Sequence, residues 1–134
     1  MTDQVIPVVN YLVLGERPHL AGFRCADCGA VYLLRRSACS RCGGAELGER
    51  VDLGDVGVVT AATVVHRAPE GVQTPFVSGV VALDGGGHVR TNLTGAAQDP
   101  VAAVGRRATM RTRSIGTDSR GVKGLSYEFE VQKE

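Results

Sequence analysis

The stretch Cys25-Ala26-Asp27-Cys28-Gly29, followed by Cys39-Ser40-Arg41-Cys42-Gly43-Gly44, decides the fold of the first third of this chain. These four cysteines are the only ones in the sequence, and they form two CxxC pairs. Each pair can place two thiolates on one side of a tight turn. Two such turns facing each other make the tetrahedral sulfur cage of a structural zinc site. The glycine after each pair suits the turn, because glycine adopts positive φ at no steric cost. The spacing therefore predicts a zinc ribbon whose ligands are Cys25, Cys28, Cys39 and Cys42.

Three other uses of paired cysteines stay open at this stage. Two disulfides suit a secreted protein, but we find no secretory segment. A single CxxC near a βαβ pattern is typical of a thioredoxin-like dithiol, whereas here there are two pairs and no surrounding βαβ unit. An iron centre of the rubredoxin type uses the same four ligands as zinc. The pattern favours a structural metal ion, with zinc ahead of iron.

The composition indicates a globular β protein. Apolar residues make up 43% of the 134 residues, and 18 glycines accompany frequent valine and threonine, as expected for strands with tight turns. The formal net charge of +1 gives no global attraction to nucleic acid or to an anionic membrane. The apolar segment 5–14 is too short to span a bilayer and does not resemble a signal peptide. With reduced cysteines and no export signal, we expect a cytoplasmic protein.

We divide the chain into three parts. Residues 1–18 form an N-terminal arm, which either packs on its own domain or docks on a partner. Residues 19–52 form the ribbon, with short strands at 20–24 and 31–34 and a polar connector at 46–52. Residues 53–134 form a second domain. This domain has one or two helical turns within 96–104 and five strands, at 56–67, 76–83, 88–93, 107–115 and 125–131.

The strand pattern of the second domain predicts an OB-fold. The last strand alternates apolar with polar residues from Leu125 to Val131, so that one face is buried. Gly57 allows the long first strand to bend sharply. Asp84-Gly85-Gly86-Gly87 is typical of a hairpin turn and lacks the Gly-Lys-Ser/Thr ending of a phosphate-binding loop. The fold class is therefore mainly β, with an N-terminal rubredoxin-like zinc ribbon followed by a five-stranded OB-fold barrel.

The sequence offers no catalytic constellation of its own. The ribbon uses every cysteine, and a closed four-cysteine site has no open position for water. There is no G-x-S-x-G motif, and His19, His66 and His88 are scattered through the chain. We expect no catalytic residue in this protein.

The most informative charge pattern lies on the fourth strand of the second domain. Arg107, Arg111 and Arg113 share one face by parity, and Arg106 precedes them. These arginines either pair with Glu128 and Glu130 on the fifth strand or contact an anion, such as the phosphates of coenzyme A or an acidic surface of a partner.

Binding of single-stranded nucleic acid is the rival hypothesis, because OB-folds bind it through a basic groove and aromatic platforms on the second and third strands. Here those strands offer only Phe76, and aromatic residues are 4% of the chain. The low aromatic content therefore argues against nucleic acid as the ligand.

The sequence resembles a family of bacterial and archaeal proteins that join a zinc ribbon to an OB-fold, the family of domain of unknown function thirty-five. The resemblance covers residues 20–131. It combines the ribbon cysteines with four further segments, which are Thr60-Ala61-Ala62-Thr63-Val64-Val65-His66-Arg67, Thr74-Pro75-Phe76-Val77, Leu93-Thr94-Gly95 and Val104-Gly105-Arg106-Arg107-Ala108. The usual ribbon of this type reads Cys-Pro-x-Cys, whereas here Ser40 stands in place of the proline. That difference leaves the metal ligands unchanged.

The resemblance implies a non-catalytic, zinc-binding accessory subunit of a thiolase-like complex. Family members accompany thiolases and thiolase-like lipid-transfer enzymes, whose reactions include thiolytic cleavage, acyl transfer and retro-aldol cleavage of side chains. The ribbon and arm are then expected to dock on a thiolase-fold catalytic subunit. The barrel is expected to border the path of the acyl-CoA thioester through Arg67, Phe76, Arg106, Arg107, Arg111 and Arg113. The alternative is an OB-fold protein that binds single-stranded nucleic acid.

Overall fold

The computed structural model describes residues 4–95 and 99–132. Within these ranges the strands of the N-terminal part are β1 (Gln4–Pro7), β2 (Leu12–Val13), β3 (His19–Cys25), β4 (Val31–Tyr32) and β5 (Leu47–Gly54). The elements that follow are β6 (Val56–Val65), β7 (Phe76–Leu83), β8 (His88–Gly95), α1 (Pro100–Ala103), β9 (Arg107–Thr117) and β10 (Val122–Val131). No helix in the described part of the chain is long and apolar enough to cross a bilayer.

Strands β6 to β10 close into a barrel. β6 pairs with β7 and β7 with β8, both antiparallel. β8 then pairs with β10 in parallel, β10 pairs antiparallel with β9, and β9 returns to β6. This order, with α1 between the third and fourth strands, is that of an OB-fold. The predicted fold class is confirmed, and the five barrel strands lie where the sequence predicts them. Of the predicted helical segment, residues 96–98 lie outside the described residues.

The barrel interior follows the alternation of the last strand. Phe129 is fully buried and Val131 is 2% exposed, and they pack with Val59, Val81 and Val89. The long β6 is irregular between Val59 and Ala61 rather than at Gly57. Gly57 has a different function, because an added Cβ would meet the carbonyl oxygen of Ala82 on the paired strand. The pairing of β6 with β7 is therefore interrupted by a change of register at Val59 to Ala61, and Gly57 allows close approach of β7.

The N-terminal arm packs on its own domain. β1 pairs in parallel with β10, and β2 pairs with β3. Leu12 is 2% exposed, and the hydroxyl of Tyr11 donates to the hydroxyl of Tyr127 at 2.9 Å, which in turn donates to the carbonyl of Arg90 at 3.0 Å. Burial and the hydrogen bond with Tyr11 raise the pKa of Tyr127, so this phenol stays neutral. Of the two alternatives for the arm, the structure shows the packed one.

The predicted polar connector at 46–52 is wrong, because most of these residues belong to β5. This strand pairs with β3 from Cys25↔Leu47 to Leu20↔Gly54. Leu47 and Leu53 are buried, whereas Glu49, Arg50 and Asp52 are exposed. Because three of the residues in this strand are charged and exposed, its sequence resembles that of a polar linker.

Ribbon and barrel meet at Leu53, which is fully buried. The carbonyl of Leu53 accepts from the amide of Gly85 in the β7–β8 hairpin at 3.2 Å. A Cβ added at Gly85 would lie 2.7 Å from the Leu53 Cα, and one at Gly22 would lie 2.9 Å from the Leu53 Cδ1. Leu12, Leu20 and Leu53 consequently join the barrel side chains in one core. The predicted hairpin turn is present, and its glycines also let the ribbon approach the barrel.

We predict that Leu53→Ala destabilises the whole chain by about 2–5 kcal/mol, because truncation leaves a cavity between ribbon and barrel. Urea unfolding followed by circular dichroism measures the change. Val101→Ala is the matched control, since Val101 is 82% exposed and its loss should cost no more than about 0.5 kcal/mol. A Leu53→Ala effect as small as that of the control would contradict the shared core.

Candidate metal centre

Two equivalent turns carry the four cysteines. The amide of Gly29 donates to the carbonyl of Cys25 at 3.0 Å, and the amide of Gly43 donates to the carbonyl of Cys39 at 2.8 Å. Gly29 has φ of 80° and Gly43 has φ of 79°, both in the left-handed region that favours glycine. The glycine that follows each CxxC pair therefore allows the chain to fold around the sulfurs, as the sequence predicts.

The sulfur atoms lie at the separations of a tetrahedral metal site. Cys25 Sγ is 3.7 Å from Cys42 Sγ, and Cys28 Sγ is 3.6 Å from Cys39 Sγ. All four sulfurs are within 4.8 Å of one another, and none of the cysteines is in a disulfide. Four thiolates at about 2.3 Å from Zn²⁺ would be separated by roughly 3.8 Å. The four cysteines are thus arranged to bind a metal ion.

A polar shell of hydrogen bonds surrounds Cys39. The Tyr32 hydroxyl donates to Cys39 Sγ at 3.2 Å, and the Arg41 amide donates to the same sulfur at 3.4 Å. The Tyr32 hydrogen bond is the main cause that lowers the pKa of the Cys39 thiol to about 6. The amide of Ser40 donates to the Tyr32 oxygen at 3.1 Å, a bond that proline could not make. Ser40, which stands where the usual ribbon has proline, therefore helps to hold the Tyr32 hydroxyl beside the ligand Cys39.

The pKa of the Cys42 thiol is shifted in the opposite direction. The Gly44 amide donates to its sulfur at 3.4 Å and lowers the pKa, but the thiol of Cys28, burial and the thiols of Cys25 and Cys39 together raise it to about 12. Four thiolates this close together would repel one another, which opposes the ionisation of all four cysteines. A bound divalent cation offsets that repulsion. We therefore expect metal binding to release protons.

The sequence did not predict which residues contact the cysteine sulfurs without being metal ligands. Tyr32 is an ordinary strand residue in sequence, and its position follows from the pairing Phe23↔Tyr32, which brings the aromatic ring beside the second turn. Gly44 is equally specific, because an added Cβ would meet the Asp27 carboxylate and lie 3.3 Å from Cys42 Sγ. A second glycine after the last cysteine was the only signal of this close approach.

The predicted barrel residues separate into two groups. Arg107 forms a two-point ion pair with Asp84, at 3.1 and 2.5 Å, which lowers the pKa of Asp84. Arg111 pairs with Glu130 at 2.8 Å. The carboxylate-pairing interpretation therefore holds for Arg111, whereas the partner of Arg107 is the hairpin aspartate.

The remaining predicted residues lie apart from these pairs. Phe76 and Arg113 line one cleft of about 480 Å³, together with Gly71, Val72, Gln73, Pro75, Asn92, Leu93, Thr94 and Glu128. Arg67 is exposed in the loop that leads to this cleft. Arg106 is half-buried, and its Nε has no hydrogen-bond partner in the described part of the chain. The structure thus brings together Phe76 and Arg113 out of the six.

We predict that Cys28→Ser abolishes stoichiometric metal binding and lowers the Tm by roughly 10 °C or more, because metal binding also stabilises the fold. Metal content by inductively coupled plasma mass spectrometry and a thermal melt measure the two effects. Ser37→Ala is the matched control, since Ser37 is exposed in the same loop. A Cys28→Ser variant with full metal content and an unchanged Tm would contradict the site.

A second prediction concerns pH. Tyr32→Phe removes the hydrogen bond that lowers the pKa of Cys39 to about 6, so this pKa rises and protons displace the metal at a higher pH. We expect the midpoint of metal release in an acid titration to move upward by up to about one pH unit. A metal-sensitive dye reports the release. Tyr11→Phe is the control, and an equal midpoint in both variants would show that Tyr32 has no such effect.

Comparison with known proteins agrees with both halves of the structure. The family model described as the rubredoxin-like zinc ribbon domain of ChsH2 matches residues 14–48, and that of the C-terminal OB-fold domain of ChsH2 matches residues 50–113. A DUF35 domain-containing scaffold protein of Methanocaldococcus jannaschii is 30% identical over 133 residues, which cover 97% of this chain and 93% of the relative.

Two solved structures share the fold. The Ltp2–ChsH2 (DUF35) aldolase matches with a TM-score of 0.58 and 24% identity, over 82% of this chain and 84% of that one. A DUF35-family protein of unknown function from Sulfolobus solfataricus matches with a TM-score of 0.51 and 18% identity, over 84% and 75% of the two chains. The fold, the sulfur site and the matches together confirm the resemblance, and the chain belongs to the DUF35 family of zinc-ribbon and OB-fold proteins.

Proposed function

We propose that this chain is a non-catalytic, zinc-binding accessory subunit of a thiolase-like complex that acts on acyl-CoA substrates. Membership of the DUF35 family supports the proposal, as does a relative described as a scaffold protein. A protein of the same fold is described as part of an aldolase with Ltp2. In the proposed complex, the ribbon contacts a thiolase-fold catalytic subunit together with the side of the packed arm that exposes Val5, Ile6 and Val8. The complex lies in the cytoplasm, where thiols stay reduced.

The cleft on the barrel is the proposed contact site for acyl-CoA. Its volume of about 480 Å³ lies within the range of small-ligand sites. Phe76 offers a ring for stacking against adenine, and Arg113 offers a planar guanidinium for a phosphate group. Unlike Arg107 and Arg111, Arg113 forms no ion pair with any described residue. Glu128 also lines the cleft and repels phosphate, so the phosphate group should lie on the Arg113 side.

The metal centre is suited to a structural function. Four thiolates complete the tetrahedral coordination of zinc and leave no position for water or substrate. We assign zinc rather than iron, because a closed site of this kind is the usual structural use of zinc in a ribbon.

The chemistry of the complex is assigned to the partner. Every cysteine of this chain is in the sulfur cluster, so the chain has no further thiol for nucleophilic attack on a thioester. The catalytic thiol must then come from the thiolase-fold subunit. This chain would shape the entrance for the acyl-CoA, with Phe76 and Arg113 in contact and with Arg67 and Arg106 nearby in sequence.

Binding of single-stranded nucleic acid is the second candidate, because the cleft lies on β7, β8 and the loop after β6, where OB-folds bind oligonucleotides. The lining offers only one aromatic ring, Phe76, whereas such sites stack successive bases on several rings. We therefore rank this candidate second.

We predict that the purified chain neither cleaves acetoacetyl-CoA with free coenzyme A nor transfers the acetyl group of acetyl-CoA, whereas a mixture with the thiolase-fold subunit of the same host does. Within that complex, Arg113→Ala should weaken binding of acetyl-CoA about tenfold, because a charge-assisted contact to phosphate is lost. Isothermal titration calorimetry measures the binding. Arg120→Ala is the matched control, since it removes the same charge from a side chain that is 85% exposed.

Robust turnover by the chain alone would contradict the accessory function. Equal effects of Arg113→Ala and Arg120→Ala on acetyl-CoA binding would show that the cleft does not contact acyl-CoA. Tighter binding of oligothymidylate than of acetyl-CoA would favour the nucleic-acid candidate instead.

A further inference from the structure

One face of the ribbon sheet gathers aromatic and arginine side chains, of which Tyr32 also hydrogen-bonds to the ligand Cys39. Phe23 lies in β3, with Tyr32 opposite on β4 and Arg50 opposite on β5. Residues directly opposite on neighbouring strands project from the same side of a sheet. The three side chains therefore share one face, beside the loop that continues from β4.

Two arginines of that loop are stacked on the aromatic rings. The guanidinium carbon of Arg35 lies 4.5 Å from the centre of the Phe23 ring, and that of Arg36 lies 4.7 Å from the centre of the Tyr32 ring. Stacking of this kind holds a planar guanidinium in place and leaves its N–H groups free at the edge. Arg50 is held separately, because it donates to the carbonyl of Asn10 at 2.6 Å.

These three guanidinium groups lack carboxylate partners among the described residues. None of them forms an ion pair with a carboxylate within residues 4–95 and 99–132, whereas Arg17, Arg107, Arg111 and Arg120 each do. Three ordered positive charges with free donors favour a ligand that brings negative charge.

An apolar crevice lies between these charges. Its volume is about 190 Å³, and its lining includes Tyr11, Phe23, Leu33 and Leu34 between Arg35 and Arg50. Leu34 is 58% exposed beside the stacked arginines. The crevice has room for one aliphatic side chain, and charges border it.

We propose that this arginine face, made of Phe23, Tyr32, Leu34, Arg35, Arg36 and Arg50, binds an acidic segment of a protein partner. Carboxylates of the segment accept from the guanidinium groups in two-point contacts, and one aliphatic side chain enters the crevice. Nucleic acid suits the face less, because Arg35 and Arg36 already cover the rings on which bases would stack. The identity of the partner as the thiolase-fold subunit rests on the proposed function.

The face is linked to the metal centre. The ring under Arg36 belongs to Tyr32, whose hydroxyl donates to Cys39 Sγ at 3.2 Å. An ordered sulfur site therefore fixes one of the two rings that hold the arginines. Pre-positioned side chains lose less conformational entropy on binding, so the metal-loaded chain should be the form that binds.

The test uses the full metal-loaded chain and a fluorescent 12-residue peptide of repeated Glu-Glu-Leu-Glu. Fluorescence anisotropy measures its binding against a peptide of the same length with glutamine in place of glutamate. The double variant Arg35→Ala/Arg36→Ala should weaken binding of the acidic peptide about tenfold or more. Arg24→Ala/Arg120→Ala is the matched control, because it removes the same charge away from this face. It should leave the affinity unchanged.

Three results would overturn the inference. They are an acidic peptide that binds no better than the neutral one, equal losses in the two double variants, and stronger arginine-dependent binding of oligothymidylate of equal charge. A melt and a metal assay of each variant show that its fold is retained, and the single variant Arg50→Ala tests the same face without the loop.

A binding experiment with the thiolase-fold subunit distinguishes failure of this inference from failure of the proposed function. If that subunit binds the wild-type chain and the Arg35→Ala/Arg36→Ala variant equally well, the proposed function stands and the arginine face is wrong. If no such subunit binds but the acidic peptide still requires Arg35 and Arg36, the arginine face stands and the proposed function is wrong.

Discussion

The four-sulfur site is the constraint on which the two cysteine turns and the loop between them depend. Among the described residues, the buried side chains around it are Cys25, Cys39 and Leu47, with four partly buried neighbours, which is a small core for ordering these turns by hydrophobic burial alone. A metal ion held by all four thiolates would supply that order, since its binding free energy is also folding free energy. Through the Tyr32 hydroxyl the same site reaches the aromatic ring that supports Arg36.

The ribbon is joined to the barrel by packing as well as by sequence. Leu53 is buried between Gly22 of the ribbon sheet and Gly85 of the barrel hairpin, at distances that leave no room for a side chain on either glycine. The hydrogen bond from Tyr11 to Tyr127 adds a polar link between the arm and the last barrel strand. The metal centre, the arginine face and the barrel cleft therefore belong to one folded unit, as the proposed accessory function requires.

Local patterns in the sequence predicted most of the fold. The cysteine spacing and the alternation along the last strand depend on neighbouring residues. The four cysteines meet as predicted, and Phe129 and Val131 are buried as predicted, whereas Leu125 and Tyr127 are half-buried. The predictions that were wrong or missing depend on residues that are far apart in the sequence. β5 looked like a linker because its pairing with β3 is not visible in its own residues, and the partner of Arg107 is fixed by the register of β9 in the closed barrel. Tyr32 was missed for the same reason, since only strand pairing brings it to Cys39.

The most direct test of the accessory function is native mass spectrometry of the complex that a tagged chain recovers from its own host. We expect one assembly that contains this chain with a single zinc ion and a thiolase-fold subunit in fixed ratio. Recovery of the chain alone, or with nucleic acid in place of a thiolase-fold subunit, would contradict the accessory function.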